Sequence, residues 1–330
     1  VLGEAKLSIA YPHVQARRVR LTRCEEIDTR GLACSSVTTV PSGSSSAPGS
    51  VPPLFAAFVD DTSLLLANGG AGVDAVVEGY LDARDGDHGD LLGRLACPVS
   101  RLSPLVTELA RSAPAEPVDL ALVVDSGLGA VPKALSTVFS RATLLTPRSV
   151  ETSAPLDLDP VWLERVAEFV PDDVVAVVEP RRPITGDAED VAAWLDAVRR
   201  VAEHGCEPKL RCGGPRPSDV PSVDELRRFL AIAAETGRAA ALVGLGRLVR
   251  SADGAGVVQH GILNVLVAAA RTADGAEGDA VVAALESTDA AALVAATREL
   301  DGARMEAVRK VLSRCGAGQD EVTALGALAA

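Results

Sequence analysis

Short runs rich in Val, Leu and Ala recur along the chain, each followed by a stretch of helical periodicity. The repeat is roughly 30 residues, the length a parallel strand with its crossover helix requires. The strands expected from it are Ser63–Ala67, Leu92–Cys97, Leu120–Asp125, Thr143–Thr146, Val174–Glu179, Pro208–Cys212, Ala239–Leu245 and Val308–Ser313. Eight such units in one chain predict an α/β fold, a (β/α)8 TIM-barrel-like domain over residues 52–330, with an open doubly wound sheet as the other arrangement. Two helices have readable ends. Asp187 caps one that runs to Gly205, and Ser222 with Glu225 forms a capping box for one closed by Gly237. Residues 273–303 add Ala-rich helical material to the last crossover.

Composition agrees with this reading. Apolar residues make up 48% of the 330 and aromatics only 3%, so the core is built from Val, Leu, Ile and Ala. A net charge of −13 argues against nucleic acid or an anionic membrane surface as partner. The six cysteines contain no CxxC pair, which argues against a zinc ribbon or a disulfide framework and fits a reduced, cytoplasmic setting. Residues 1–51 read as a disordered leader. It carries Arg17, Arg18, Arg20, Arg23 and Arg30 and ends in the Ser/Gly/Pro-rich linker Pro41–Ser50.

In a barrel, function belongs to the C-terminal ends of the strands and the loops that follow. Those positions hold Asn68, Cys97, Asp125, Arg148 with Glu151, Glu179 with Arg181 and Arg182, Lys209 with Arg211, and Arg247 with Arg250. The segment Glu207-Pro208-Lys209-Leu210-Arg211-Cys212-Gly213-Gly214 stands out. On a strand Lys209 and Arg211 share one face, while Leu210 and Cys212 share the other. An amine among apolar strands and beside a second cation is pushed down from about 10.4, and the neutral form can make a Schiff base. The alternative is a structural ion pair with Glu179 across the mouth.

Gly213 and Gly214 suit close approach of backbone N–H groups to an anion, or simply a rigid turn. Gly244-Leu245-Gly246-Arg247 adds a cation for the same anion, and His260 reads as an acid or base at the mouth or as a helix-end histidine. No dinucleotide fingerprint is present and no cofactor is expected. Asp85, Asp87, His88 and Asp90 read as solvated acidity rather than a metal site. Cys97 and Cys212 read as buried thiols.

Several stretches also resemble an uncharacterised bacterial family of TIM-barrel-like proteins. They are Asp60-Asp61, Cys97-Pro98 with Arg101-Leu102, Lys209 to Gly214, and His260-Gly261-Ile262-Leu263-Asn264-Val265. The likeness runs over about residues 52–330, and Ser313-Arg314-Cys315-Gly316 is similar to that family's last strand. The family is distantly similar to class I aldolases such as deoxyribose-phosphate aldolase, with a lysine on strand six and another on strand seven. That resemblance implies Lys209 as the Schiff-base lysine. Here Ala240 to Arg247 lack the strand-seven lysine and histidines.

The expected function is a Schiff-base lyase or aldolase-like activity on a small anionic carbonyl or phosphorylated metabolite. In it Lys209 is the amine, Glu179 moves a proton, and Arg211, Gly213, Gly214, Arg247 and His260 bind substrate. A non-catalytic, degenerate barrel that binds a small ligand is the alternative, and a sugar-phosphate isomerase using Glu179 as base is a third. Neither metal, nucleic acid nor membrane is expected as partner, and homo-oligomerisation is left open.

Overall fold

A computed structural model describes residues 51–65, 72–214 and 216–329. Residues 1–50 of the expected leader and Asn68 lie outside these residues, whereas Val51 packs against the core. Eight strands alternate with helices: β1 (Val59–Asp61), α1 (Val73–Asp85), β2 (Leu92–Pro98), α2 (Leu102–Ser112), β3 (Val118–Val124), α3 (Val131–Phe139), β4 (Leu145–Ser153) and α4 (Pro160–Phe169). The second half continues with β5 (Val175–Glu179), α5 (Ala188–Glu203), β6 (Glu207–Arg211), α6 (Val223–Thr236) and β7 (Ala240–Val243). Four helices then precede the last strand: α7 (Ile262–Ala273), α8 (Gly278–Glu286), α9 (Ala290–Arg298) and α10 (Gly302–Val311), followed by β8 (Leu312–Ala317) and α11 (Gln319–Ala329). A short antiparallel ribbon, Ser251–Ala252 with Val258–Gln259, decorates the loop after β7.

The strands close into a barrel in sequence order, every neighbour parallel, with β1 pairing both β2 and β8. The fold is a (β/α)8 TIM barrel. Among the described residues no helix is long and apolar enough to cross a membrane.

Local chemistry explains the elements that agree with the sequence. Asp187 accepts from the Glu189 N–H at 2.9 Å and starts α5. Ser222 and Glu225 form the reciprocal box of α6, which ends on Gly237 at φ +64°. Three expected strands shift. The first is Val59–Asp61, because Ser63–Leu65 forms a 3-10 turn instead. The fourth starts at Leu145 and runs on to Ser153, so Arg148 is a mid-strand residue rather than a loop residue. The last starts at Leu312, because Asp301 accepts from the Arg304 N–H at 2.8 Å and caps a helix that consumes Gly302–Val311.

The apolar core lies between strands and helices. Leu95, Leu120, Leu122, Val150, Val178, Leu210 and Leu242 all face that shell. The alternate positions face the barrel axis: the small Ala96, Ala121, Ala241 and Gly316 and the branched Val177 and Val243 stand there with the charged Asp60, Glu151, Lys209 and Arg314. The four charges depart from the aliphatic layers usual inside such barrels.

Glycine has a steric task where β6 and β7 end. A Cβ on Gly213 would collide with the Gly244 carbonyl oxygen, and Gly244 itself sits at φ +82°. Gly213→Ala is expected to cost about 1–3 kcal/mol in urea unfolding. Gly246→Ala, where a Cβ meets nothing within 4 Å, is expected to be near neutral.

Candidate functional site

A cavity of about 430 Å³ opens at the C-terminal mouth of the barrel. Lys209 and Glu151 line it from the inside, and Glu179, Arg211, Arg101 and Asp125 line it nearer the rim. Period two on β6 carries Lys209 and Arg211 into the same cavity, as their spacing predicts. Lys209 is 6% exposed, whereas the Arg211 side chain is half exposed.

The partner of Lys209 differs from the expected one. Its Nζ donates to Glu151 Oε2 at 2.5 Å, and Glu179 instead takes Arg211 Nε at 3.4 Å. Register is the reason. Glu179 is level with Ser153, the last residue of β4, two positions nearer the rim than Glu151. Lys209 reaches the deeper carboxylate.

Below this pair the interior is ionic. Arg314 on β8 places Nε 3.1 Å from Asp60 on β1, Nη1 2.5 Å from Glu207 on β6, and Nη2 3.7 Å from Glu151 on β4. Asp60 also accepts from the Arg94 backbone N–H at 2.8 Å. Three carboxylates (Asp60, Glu151, Glu207) thus face three cations (Arg94, Lys209, Arg314), and the cluster is neutral as a whole.

The balance is not uniform. Burial works to raise Glu151, but Lys209, Arg314 and Arg94 outweigh it and hold the carboxyl down at about 2. At Asp60 burial wins over Arg314 and Arg94, and the carboxyl is pushed up to about 6. Arg314 remains a cation, because its three carboxylates more than offset its desolvation.

Other predicted residues do not reach the cavity. Gly213 packs on Gly244, and a Cβ at Gly214 would meet the Asp219 side chain. Neither glycine lines the mouth, and neither does the exposed Arg247. His260 is buried: Nε2 donates to the Pro221 carbonyl at 2.8 Å and Nδ1 accepts from Arg250 at 3.2 Å. Burial holds it below the usual imidazole range. Asn264 accepts from the Arg250 N–H and donates to the carbonyls of Ala284 and Ser287. The His260–Val265 stretch therefore fastens the loop after β7 to α7 and α8.

Arg182 is held by Glu225 and the Ser218 carbonyl, so it positions the start of α6. Burial pushes the Cys97 thiol up to about 12 and Cys212 higher still, which suits inert core thiols. No cluster of metal ligands occurs among the described residues.

Residues singled out less sharply by sequence now matter more. Asp60, Glu207 and Arg314 carried one signal, charge at an inward strand position, visible only once register is known. Ser100, whose hydroxyl and N–H both donate to Asp125, joins the rim beside Arg101. On β7 it is Ala241 that pairs level with Lys209, while Ala240 belongs to the outer apolar shell. The additional interior cations come from Arg94 and Arg314. Comparison with family models, curated proteins and solved structures gives no match.

Two outcomes test the ionic interior. Arg314→Met leaves buried carboxylates without their cation and is expected to cost about 3–5 kcal/mol in urea unfolding. Glu151 has a folded pKa below its ordinary 4.5, so its pairing stabilises the fold fully above that value and is lost as pH falls through about 2. The stability deficit of Glu151→Gln is therefore expected to be full at neutral pH and to shrink below 4.5. A deficit independent of pH in stepped-pH denaturation would contradict it.

Proposed function

We propose that the protein is a Schiff-base lyase or aldolase-like enzyme acting on a small anionic carbonyl compound. The observation that carries this reading is a buried lysine at the inner end of a mouth cavity, with its Nζ 2.5 Å from a buried carboxylate. Such an amine is kept out of bulk water, aimed by one partner and reachable from one side. In this reading Lys209 adds to the carbonyl carbon and Glu151 holds Nζ in line, the place first given to Glu179. Arg211 and Arg101 hold the anionic group, and Glu179 orients Arg211. The resemblance to class I aldolases points the same way, with the strand-six lysine as nucleophile.

A second reading is a non-catalytic barrel that retains the pocket. The Lys209–Glu151 ion pair favours it to the extent that each charge already has its partner.

Borohydride trapping read by intact mass separates the two. The parent is expected to form a reduced adduct with one or more of pyruvate, glyoxylate, acetaldehyde and the triose phosphates. Lys209→Ala and Lys209→Arg are expected to form none, and Glu151→Gln, which loses the group that aims Nζ, to slow trapping by about 10²-fold. Binding without any adduct would favour the non-catalytic barrel. Turnover of a sugar phosphate that partly survives Lys209→Arg would favour an isomerase, which needs only the charge.

A further inference from the structure

A second, much smaller cavity shares Lys209 and Glu151 with the mouth; Asp60 and Arg314 also line it, within an apolar wall that includes Leu65 and Val243. Its volume is about 10 Å³, room for the centre of one water molecule. An apolar void of that size stays dry, but here the side chains of Asp60, Glu151, Lys209 and Arg314 bring polar groups into an otherwise largely apolar lining. Arg314 Nη2 is buried, has no hydrogen-bond partner and stands too far from Glu151, at 3.7 Å, to make one. Lys209 Nζ has N–H groups beyond the one given to Glu151, and Asp60 and Glu151 supply acceptor oxygens. A buried water needs about two to four polar partners, and these groups suffice.

The same cavity bears on how the amine is freed. Before Lys209 adds to a carbonyl it must lose a proton. Glu151, held at about 2, is a poor acceptor, whereas Asp60, pushed up to about 6, is a better one. Asp60 is 5% exposed, so that proton has no direct route from bulk water. Around Asp60 stand Arg314 of β8, Arg94 of β2, Glu151 of β4 and Lys209 of β6, with Arg309 of α10 and Tyr80 of α1 farther out.

We propose that this cavity binds one water molecule and that Asp60 takes the Lys209 proton through it. One Nζ–H bond breaks, the water accepts that proton, and one of the water's own protons passes to an Asp60 carboxylate oxygen. A neutral amine and a neutral acid replace the charged pair, and the net charge is unchanged. The catalytic use of this transfer rests on the Schiff-base reading. The water site and the proton exchange do not.

Infrared spectroscopy of the full chain, titrated from about pH 8 to about pH 4, tests the exchange. A protonated-carboxyl band is expected to grow in near pH 6, to be absent from Asp60→Asn, and to move to higher pH in Lys209→Met, which removes a cation from the cavity that Asp60 also lines. If Lys209→Met does not fold, the double variant Lys209→Met/Glu151→Gln, which removes both charges together, replaces it. No Asp60 band, or one with the same midpoint without Lys209, overturns the proposal. A high-resolution crystal structure is expected to show water within hydrogen-bond reach of Arg314 Nη2, and an empty cavity there overturns the site.

For the catalytic use, the trapping rate of the parent is expected to fall off below about pH 6, where Asp60 already holds its proton. Asp60→Asn should slow trapping by about 10²–10⁴-fold and remove that inflection. A merely structural role for Asp60 would leave the inflection in place. If the parent forms no adduct at all, the Schiff-base reading fails, and the infrared titration and the crystal structure still decide the exchange.

Discussion

Arg314 is the interaction on which the interior depends. Its guanidinium faces carboxylates from β1, β4 and β6 while itself standing on β8, so one side chain ties together four of the eight strands. A fork of fixed geometry suits this task, because several donors leave one planar group in set directions. The space it occupies exists because Ala96, Ala121, Ala241 and Gly316 fill inward positions that larger side chains usually take. Packing alone would accept an aliphatic interior as readily, and such replacements are often no less stable. What the ionic interior does in the structure is hold Glu151, the partner of Lys209, in its charged form.

The candidate site follows from that cluster. Arg314 and Arg94 help keep Glu151 ionised, and Glu151 in turn fixes Lys209 Nζ at the inner end of the mouth cavity. The pairing at the rim is of another kind. Arg211 is half exposed and 3.4 Å from Glu179, so the pair contributes little to stability and leaves the guanidinium open to solvent at the rim. Charge therefore has two uses along one strand: held deep at Lys209, available at Arg211.

Much of the fold was legible in the sequence, and the places where reading failed share a cause. β5, β6 and the caps of α5 and α6 stand where the pattern put them, because apolar runs and capping residues act locally. β1 was misplaced because Val59–Asp61 contains two buried aspartates, and β8 because it carries Arg314; neither segment reads as a strand by hydrophobicity. The Lys209 partner was misassigned for a similar reason. Glu179 and Glu151 both sit at strand ends in sequence, but only the register between β4, β5 and β6 sets which of them lies deeper. Gly213, Gly214, His260 and Asn264 were conspicuous in the sequence, and the structure gives them steric and hydrogen-bonding work in loops.

The sequence by itself determined the βα alternation, the count of eight units, and the placing of Lys209 and Arg211 on one face of one strand. These depend on local periodicity, which a chain carries without reference to its neighbours. Only the tertiary structure decided that Asp60, Glu151, Glu207 and Arg314 converge on the barrel axis, that Lys209 pairs with Glu151, and that a water-sized cavity lies beside them. Those facts come from closure between β1 and β8 and from the stagger between strands. Residues up to 258 positions apart, Asp61 and Gln319, meet there, and no local pattern encodes that distance.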